Sequence, residues 1–280
     1  MTPDPRLLAL PLLLLASCGR EPAPEQTADP AAASSGTAPA APPVDAASLE
    51  AARRWMTYQY LSRDPERAPE MVQALVDARW HLENPDANAL GVLSVFLGHL
   101  GSIHPGVLDA WTDAATAETM PTEGRVVFAY AVWAAEPGVA GPRIDRVARG
   151  LPEQEVAGIA ELTLGDPPDL AALEPETSVV LDFWWAAFMA EGDLRWVELV
   201  LGLIPTPEMS VEEAGLDDPQ RLEVARAAAW SLTSNAAQHP RVLEHLRGRL
   251  DEAGPWPTVA EILRQAEQAA QKNPPVLPEG

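Results

Sequence analysis

Apolar residues recur along this chain at intervals of three and four, and strict alternation is absent. Leu49, Ala52, Met56 and Tyr60, with Trp55 beside them, predict a helix that Ser48 can cap. Asp64-Pro65 breaks it. A second helix carries Met71, Val72, Leu75, Val76 and Trp80, and Asn84-Pro85-Asp86 ends it. Residues 87–103 are apolar nearly all round, the pattern of a central buried helix. Gly91, Gly98 and Gly101 weaken that segment by propensity but permit close packing, and it is too short for a membrane span. Pro105 can open the next helix, with Val107, Leu108, Trp111 and Ala115 on one face, and residues 123–135 give another. Residues 136–175 are rich in Gly and Pro and predict short helices over 142–149 and 152–163.

The longest apolar run, residues 179–190, holds one charge, Asp182. Gly192 ends that helix and Asp193 caps the next, which runs through Trp196, Val197, Val200, Leu201 and Ile204. An acidic loop spans Pro205 to Pro219. Residues 220–238 form a helix with Leu222, Ala225, Ala229, Trp230 and Thr233 as its apolar side. Pro240 starts another, and the last covers about 257–271. About ten helices in antiparallel pairs with short breaks predict an all-α fold, either an α-hairpin array or an irregular helical bundle. No fixed repeat period appears, and the signatures of the common helical repeats do not match residue by residue.

The ends of the chain follow different rules. Residues 1–17 read as a signal peptide, with Arg6 as the basic residue and Leu7–Leu15 as the apolar run, interrupted by Pro11. Residues 18–47 are Pro/Ala-rich with almost nothing large to bury, which predicts a disordered tether reaching at most about 90 Å. The helical domain then covers 48–272, and 273–280, with Pro274, Pro275 and Pro278, form a loose tail.

Composition narrows the partners. The net charge of −22 repels phosphate backbones, so nucleic acid is excluded as a partner, and a basic membrane-binding patch is excluded too. Nine Trp against four Phe and three Tyr is an unusual balance, because each indole N–H wants an acceptor when buried. Cys18 is the only Cys, so no internal disulfide forms.

Leu15-Ala16-Ser17-Cys18 directly follows the apolar run and resembles the lipobox of bacterial lipoproteins. That resemblance implies that Cys18 becomes the first mature residue and carries a diacylglyceryl group and an acyl chain on its amine. Two or more chains make a stable membrane anchor. In lipoproteins of Gram-negative bacteria a residue other than Asp after the Cys, here Gly19, implies the outer membrane rather than the inner. Two further segments, Leu181–Asp193 and Ala228–Pro240, resemble parts of an uncharacterised bacterial family of helical domains and lipoproteins. The likeness implies an all-α fold and an envelope context; it implies no activity, substrate or catalytic residue.

Candidate chemistry is sparse. Asp182, alone in an apolar helix, needs a partner if buried. It is either a general acid/base or pocket floor, or a structural carboxylate bonded to an Arg, an indole or a helix end. Ser231 and Asn235, four apart, share a helix side with Trp230 close by. Asp182, Trp184, Trp185, Trp230, Ser231 and Asn235 therefore form the candidate polar and aromatic pocket, against the alternative of interhelical hydrogen bonding. The five His lack the His-Glu-x-x-His spacing of a zinc site, and no nucleophile, Walker or dinucleotide motif appears, so no metal or cofactor is implied. The expectation is a membrane-anchored protein-binding or scaffold module meeting another envelope protein. A peptidoglycan-directed hydrolase using a carboxylate in a cleft, or a small-ligand carrier, are the alternatives.

Overall fold

The computed structural model describes residues 46–78 and 89–278. The expected signal peptide, Cys18 anchor and tether, up to residue 45, lie outside the described residues, as do Trp80, His81 and the expected break at 84–86. Among the described residues there are twelve α-helices and no strand, so the fold is all-α. In chain order they are α1 (Ala46–Ser62), α2 (Ala68–Asp77), α3 (Ala89–Ile103), α4 (Leu108–Ala115), α5 (Thr122–Ala135) and α6 (Gly141–Ala148). Then come α7 (Glu153–Leu162), α8 (Val179–Glu191), α9 (Arg195–Leu201), α10 (Pro219–Gln238), α11 (Pro240–Ala253) and α12 (Pro257–Lys272). Single 3-10 turns at Pro65–Arg67, Pro105–Val107 and Leu170–Ala172 lie in three of the connections between them.

The helix that is apolar all round lies where that pattern requires. α3 packs most extensively against α5 on one side and α8 on the other, and Leu93, Phe96, Leu97 and Leu100 are sealed from solvent. These pairings skip over intervening helices, so the architecture is an irregular bundle rather than an array of successive hairpins. α8 also packs on α1, and α9 leads into a C-terminal group in which α12 lies against α10 and α11. Among the described residues no single helix is long and apolar enough to cross a membrane. α3 and the segment 105–115 qualify only as a pair bent by 108°, and α3 is buried in the core.

Glycine sets the α3–α5 spacing. A Cβ on Gly98 would sit 2.8 Å from the Ala134 Cβ, and one on Gly101 would meet Leu108, Ala135 and Trp111 at 2.9, 3.1 and 3.3 Å. Gly192 closes α8 in the left-handed region at φ 72°, against the Tyr60 ring.

Indoles hold the irregular segments. Trp55 donates to the Asp64 carbonyl, Trp111 to Pro65, Trp133 to Gly165, Trp184 to Leu170 and Trp256 to Pro205, at 2.8–3.0 Å. All five side chains are buried, and all five acceptors lie in the breaks between α-helices. These five indoles thus have a structural role: each ring is buried while its N–H bonds a carbonyl in a connection between α-helices.

Three local expectations need correction. Ser48 lies inside the first turn of α1, which begins at Ala46, and so does not cap it. Leu222, Ala225, Ala229 and Trp230 are not the buried side of α10; that stripe is Val224, Ala228, Ser231, Leu232 and Ala236. The helix is so rich in Ala that its periodicity is weak, and the single large Trp drew the expected face round to the wrong side. Trp230 stands two residues, or about 200° of rotation, from both Ala228 and Leu232. Asp182 is the third correction and belongs to the site.

Candidate functional site

The six residues expected to form one pocket do not converge. Asp182 sits in the first turn of α8 and is exposed: its neighbours Leu181 and Phe183 are buried, and Asp182 lies on the face of the helix turned to solvent, which it shares with the half-buried Met189. The expectation of a buried carboxylate there is therefore corrected. Trp184 and Trp185 are buried, at 2% and 5% exposure; Trp184 is bonded to Leu170, and the Trp185 N–H makes no hydrogen bond among the described residues. Ser231 is buried and donates to the Ala228 carbonyl at 3.0 Å, while Asn235 donates to the Ser231 carbonyl at 2.9 Å. Both side chains thus donate within their own helix. Trp230 points outward, 74% exposed.

What the structure does assemble is a carboxylate hub beside a small cleft. Glu191, the last residue of α8, is followed by Gly192, whose left-handed turn swings the chain into α9. That turn returns Arg195 and Trp196 to the Glu191 carboxylate, while His99 comes from α3, the neighbouring core helix. His99 Nδ1 lies 3.4 Å and Arg195 Nη2 3.1 Å from Glu191 Oε1, and the Trp196 indole donates to the same oxygen. The His99 ring meets Trp196 edge-on at 5.3 Å, and the Arg195 guanidinium lies over Trp196 at 4.4 Å. Burial pushes the Glu191 carboxyl up, but the bonds from His99 and Trp196 and the charges of His99 and Arg195 outweigh it and hold it below the ordinary range.

The cleft next to this hub has a volume of about 200 Å³. His99, Ser102, Tyr130, Asp169, Arg195 and Trp196 give it its polar lining. Tyr130 is 3% exposed, and burial drives its phenol well above the usual range. Its hydroxyl donates to no described residue, yet it is not among the side-chain atoms sealed from solvent without a partner. The phenol therefore offers the cleft a donor that the protein leaves unused. Chemically, the Glu191 carboxylate, met by three donors at one oxygen, is an acceptor that orients His99. Sequence reasoning missed this group because His99 and Glu191 are ninety-two positions apart and no local spacing relates them.

A second feature is the surface around Trp230. Its ring borders a shallow hollow of about 300 Å³ between α10 and α12, completed by Thr233, Ser234, Ala237, Gln238, Ala269 and Asn273. Every one of these side chains is uncharged.

Among the described residues no group of three or more His, Cys, Asp or Glu side chains is placed to hold a metal ion. No protein-family model, curated protein or solved structure matches the chain.

Proposed function

We propose that this chain is a lipid-anchored envelope protein whose helical domain is a protein-binding module. The lipobox-like Leu15-Ala16-Ser17-Cys18 and the Pro/Ala-rich stretch behind it support the anchor and the tether. The observation that carries the binding reading is the outward Trp230, 74% exposed over an uncharged hollow. Exposing an indole this far sacrifices burial that α10 could have used, and such rings are enriched where partners dock. The partner is another envelope protein presenting an uncharged surface to that hollow.

Photo-crosslinking from Ser234 in native membranes tests this. A crosslinked protein that disappears in Trp230→Ala, with the fold intact by circular dichroism, supports the module. Identical crosslinking in the variant and the parent refutes the role of this face. Labelling with radioactive palmitate tests the anchor: incorporation should vanish in Cys18→Ser, and retained label would sink the lipobox reading.

The unused Tyr130 hydroxyl favours one second reading, a site for a small neutral ligand in the 200 Å³ cleft. Fragment binding to the full chain, read by saturation-transfer NMR, should be lost in Tyr130→Phe; binding that survives the change removes this reading. The hydrolase reading draws less support: Glu191 does not line the cleft, and Asp169, which does, accepts the Ala171 N–H at 3.0 Å.

A further inference from the structure

A groove of about 610 Å³ lies between the acidic loop and the start of α10, and shares no lining residue with either feature above. Leu203, Pro205, Met209, Leu216, Val224 and Ala225 supply its apolar surface. Glu174, Glu176, Glu213 and Asp218 stand at its polar edge, against a single cation, Arg221.

The groove is built rather than incidental. Trp256 is buried beneath the loop and donates to the Pro205 carbonyl at 2.8 Å, fixing where the loop leaves α9. Ser210 and Glu213 cap each other reciprocally: the Ser210 N–H donates to the Glu213 carboxylate at 2.9 Å and the Glu213 N–H to the Ser210 hydroxyl at 3.2 Å. Asp218 caps α10 through the Gln220 N–H at 2.9 Å, and the Gln220 side chain donates to the Glu176 carbonyl, tying the segment before α8 to the opposite wall. Gly215, at φ 66°, turns the loop over the Arg221 side chain, where a Cβ would lie 2.7 Å from the guanidinium. The walls are thus pinned at both ends, while Met209 keeps 48% of its surface open.

We propose that this groove binds a cationic peptide segment of a partner protein, with one apolar side chain inserted between Leu203, Met209 and Val224 and flanking Arg or Lys residues paired with the acidic edge. Charge complementarity selects the occupant: four carboxylates face one guanidinium at the groove, in a chain whose net charge is −22. The volume suits a few side chains of an extended segment. The proposal rests on the reading of the domain as a protein-binding module, but it uses the first turns of α10 and not the Trp230 face.

The test uses the full chain in detergent and fluorescein-labelled Arg-Arg-Leu-Arg-Arg, followed by anisotropy at physiological salt. Binding is expected for this peptide, not for Glu-Glu-Leu-Glu-Glu, and much more weakly for Arg-Arg-Ser-Arg-Arg, which keeps the charge and loses the anchor. Glu174→Gln with Glu176→Gln should weaken binding about fivefold, the loss of two exposed ion pairs. Ala225→Phe, which fills the groove floor, should abolish it. Equal binding of the Leu and Ser peptides, or full binding to Ala225→Phe, would mean general charge attraction and overturn the proposal. So would the absence of binding by the parent chain. Ser234 crosslinking run in parallel separates the two ideas: crosslinks without peptide binding reject the groove and keep the module, and loss of crosslinks in Trp230→Ala with peptide binding intact supports both.

Discussion

Gly98→Ala sets helix propensity against packing in the centre of the molecule. Ala is better than Gly in a helix interior by about 1 kcal/mol, so propensity alone makes the variant more stable. The structure opposes this, because the new Cβ would lie 2.8 Å from the Ala134 Cβ. Carbon atoms in contact rest at about 3.5–4.0 Å, so α3 and α5 must part by roughly 1 Å. This is the most extensive helix pair in the fold, and overpacking of such a site costs about 1–3 kcal/mol. The net expectation is a loss of about 1 kcal/mol. Gly101→Ala, with three contacts at 3.3 Å or less, should lose about 2 kcal/mol. Urea unfolding followed by Trp fluorescence measures both, with the slope against urea unchanged. Adding Ala134→Gly to Gly98→Ala removes the clash, and the pair should show a favourable coupling of about 1 kcal/mol. A Gly98→Ala protein more stable than the parent, or a coupling of zero, would refute the argument that glycine sets this spacing.

Three other expectations follow from single contacts. His239 is fully buried against Tyr58, Tyr60 and Phe188, and burial lowers it to about 4 from 6.5. Its neutral form is therefore favoured by folding: that stability is complete above pH 6.5 and lost as pH falls towards 4, about 3 kcal/mol in all, and His239→Gln should flatten the profile in that interval. Superimposable profiles of parent and variant between pH 6.5 and 4 would contradict it. Trp256→Phe removes the donor to Pro205 and should cost about 2 kcal/mol, with faster proteolytic cleavage between residues 205 and 218; unchanged cleavage would show that the pin is not what holds the loop. Glu191→Gln should weaken the hub and erase the stability that the parent loses as pH falls below about 4.5, since the folded carboxyl lies below its ordinary value; a variant with the parent's acid profile argues against the hub.

The helices were legible because their signals are local. Pro219 after Asp218, Pro240 after His239, and Gly192 before Asp193 mark starts and stops within one turn of where the structure has them. The apolar envelope of residues 87–103 likewise announced α3 as the central helix. The site was not legible, for two physical reasons. Apolar neighbours in sequence do not bury a residue whose helix face turns outward, so Asp182 reaches solvent between the buried Leu181 and Phe183. And the polar group that does form joins α3 to the α8–α9 corner, a juxtaposition decided by tertiary packing. Trp230 was readable in part: placing the small residues Ala228 and Ala236 inside, rather than the largest residue, would have turned the helix to its observed face.

The five indoles bonded to break carbonyls have a consequence for how this domain breathes. A surface loop ordinarily opens at little cost, since few of its contacts reach the interior. Here the segments at Asp64-Pro65, Gly165, Leu170 and Pro205 are each tied to a ring lodged in the core. To lift any of them, the chain must either withdraw a tryptophan or strand its N–H in an apolar interior. Amide exchange in these connections should then approach the rate of the helices that flank them, leaving the domain with few cheap sub-global openings.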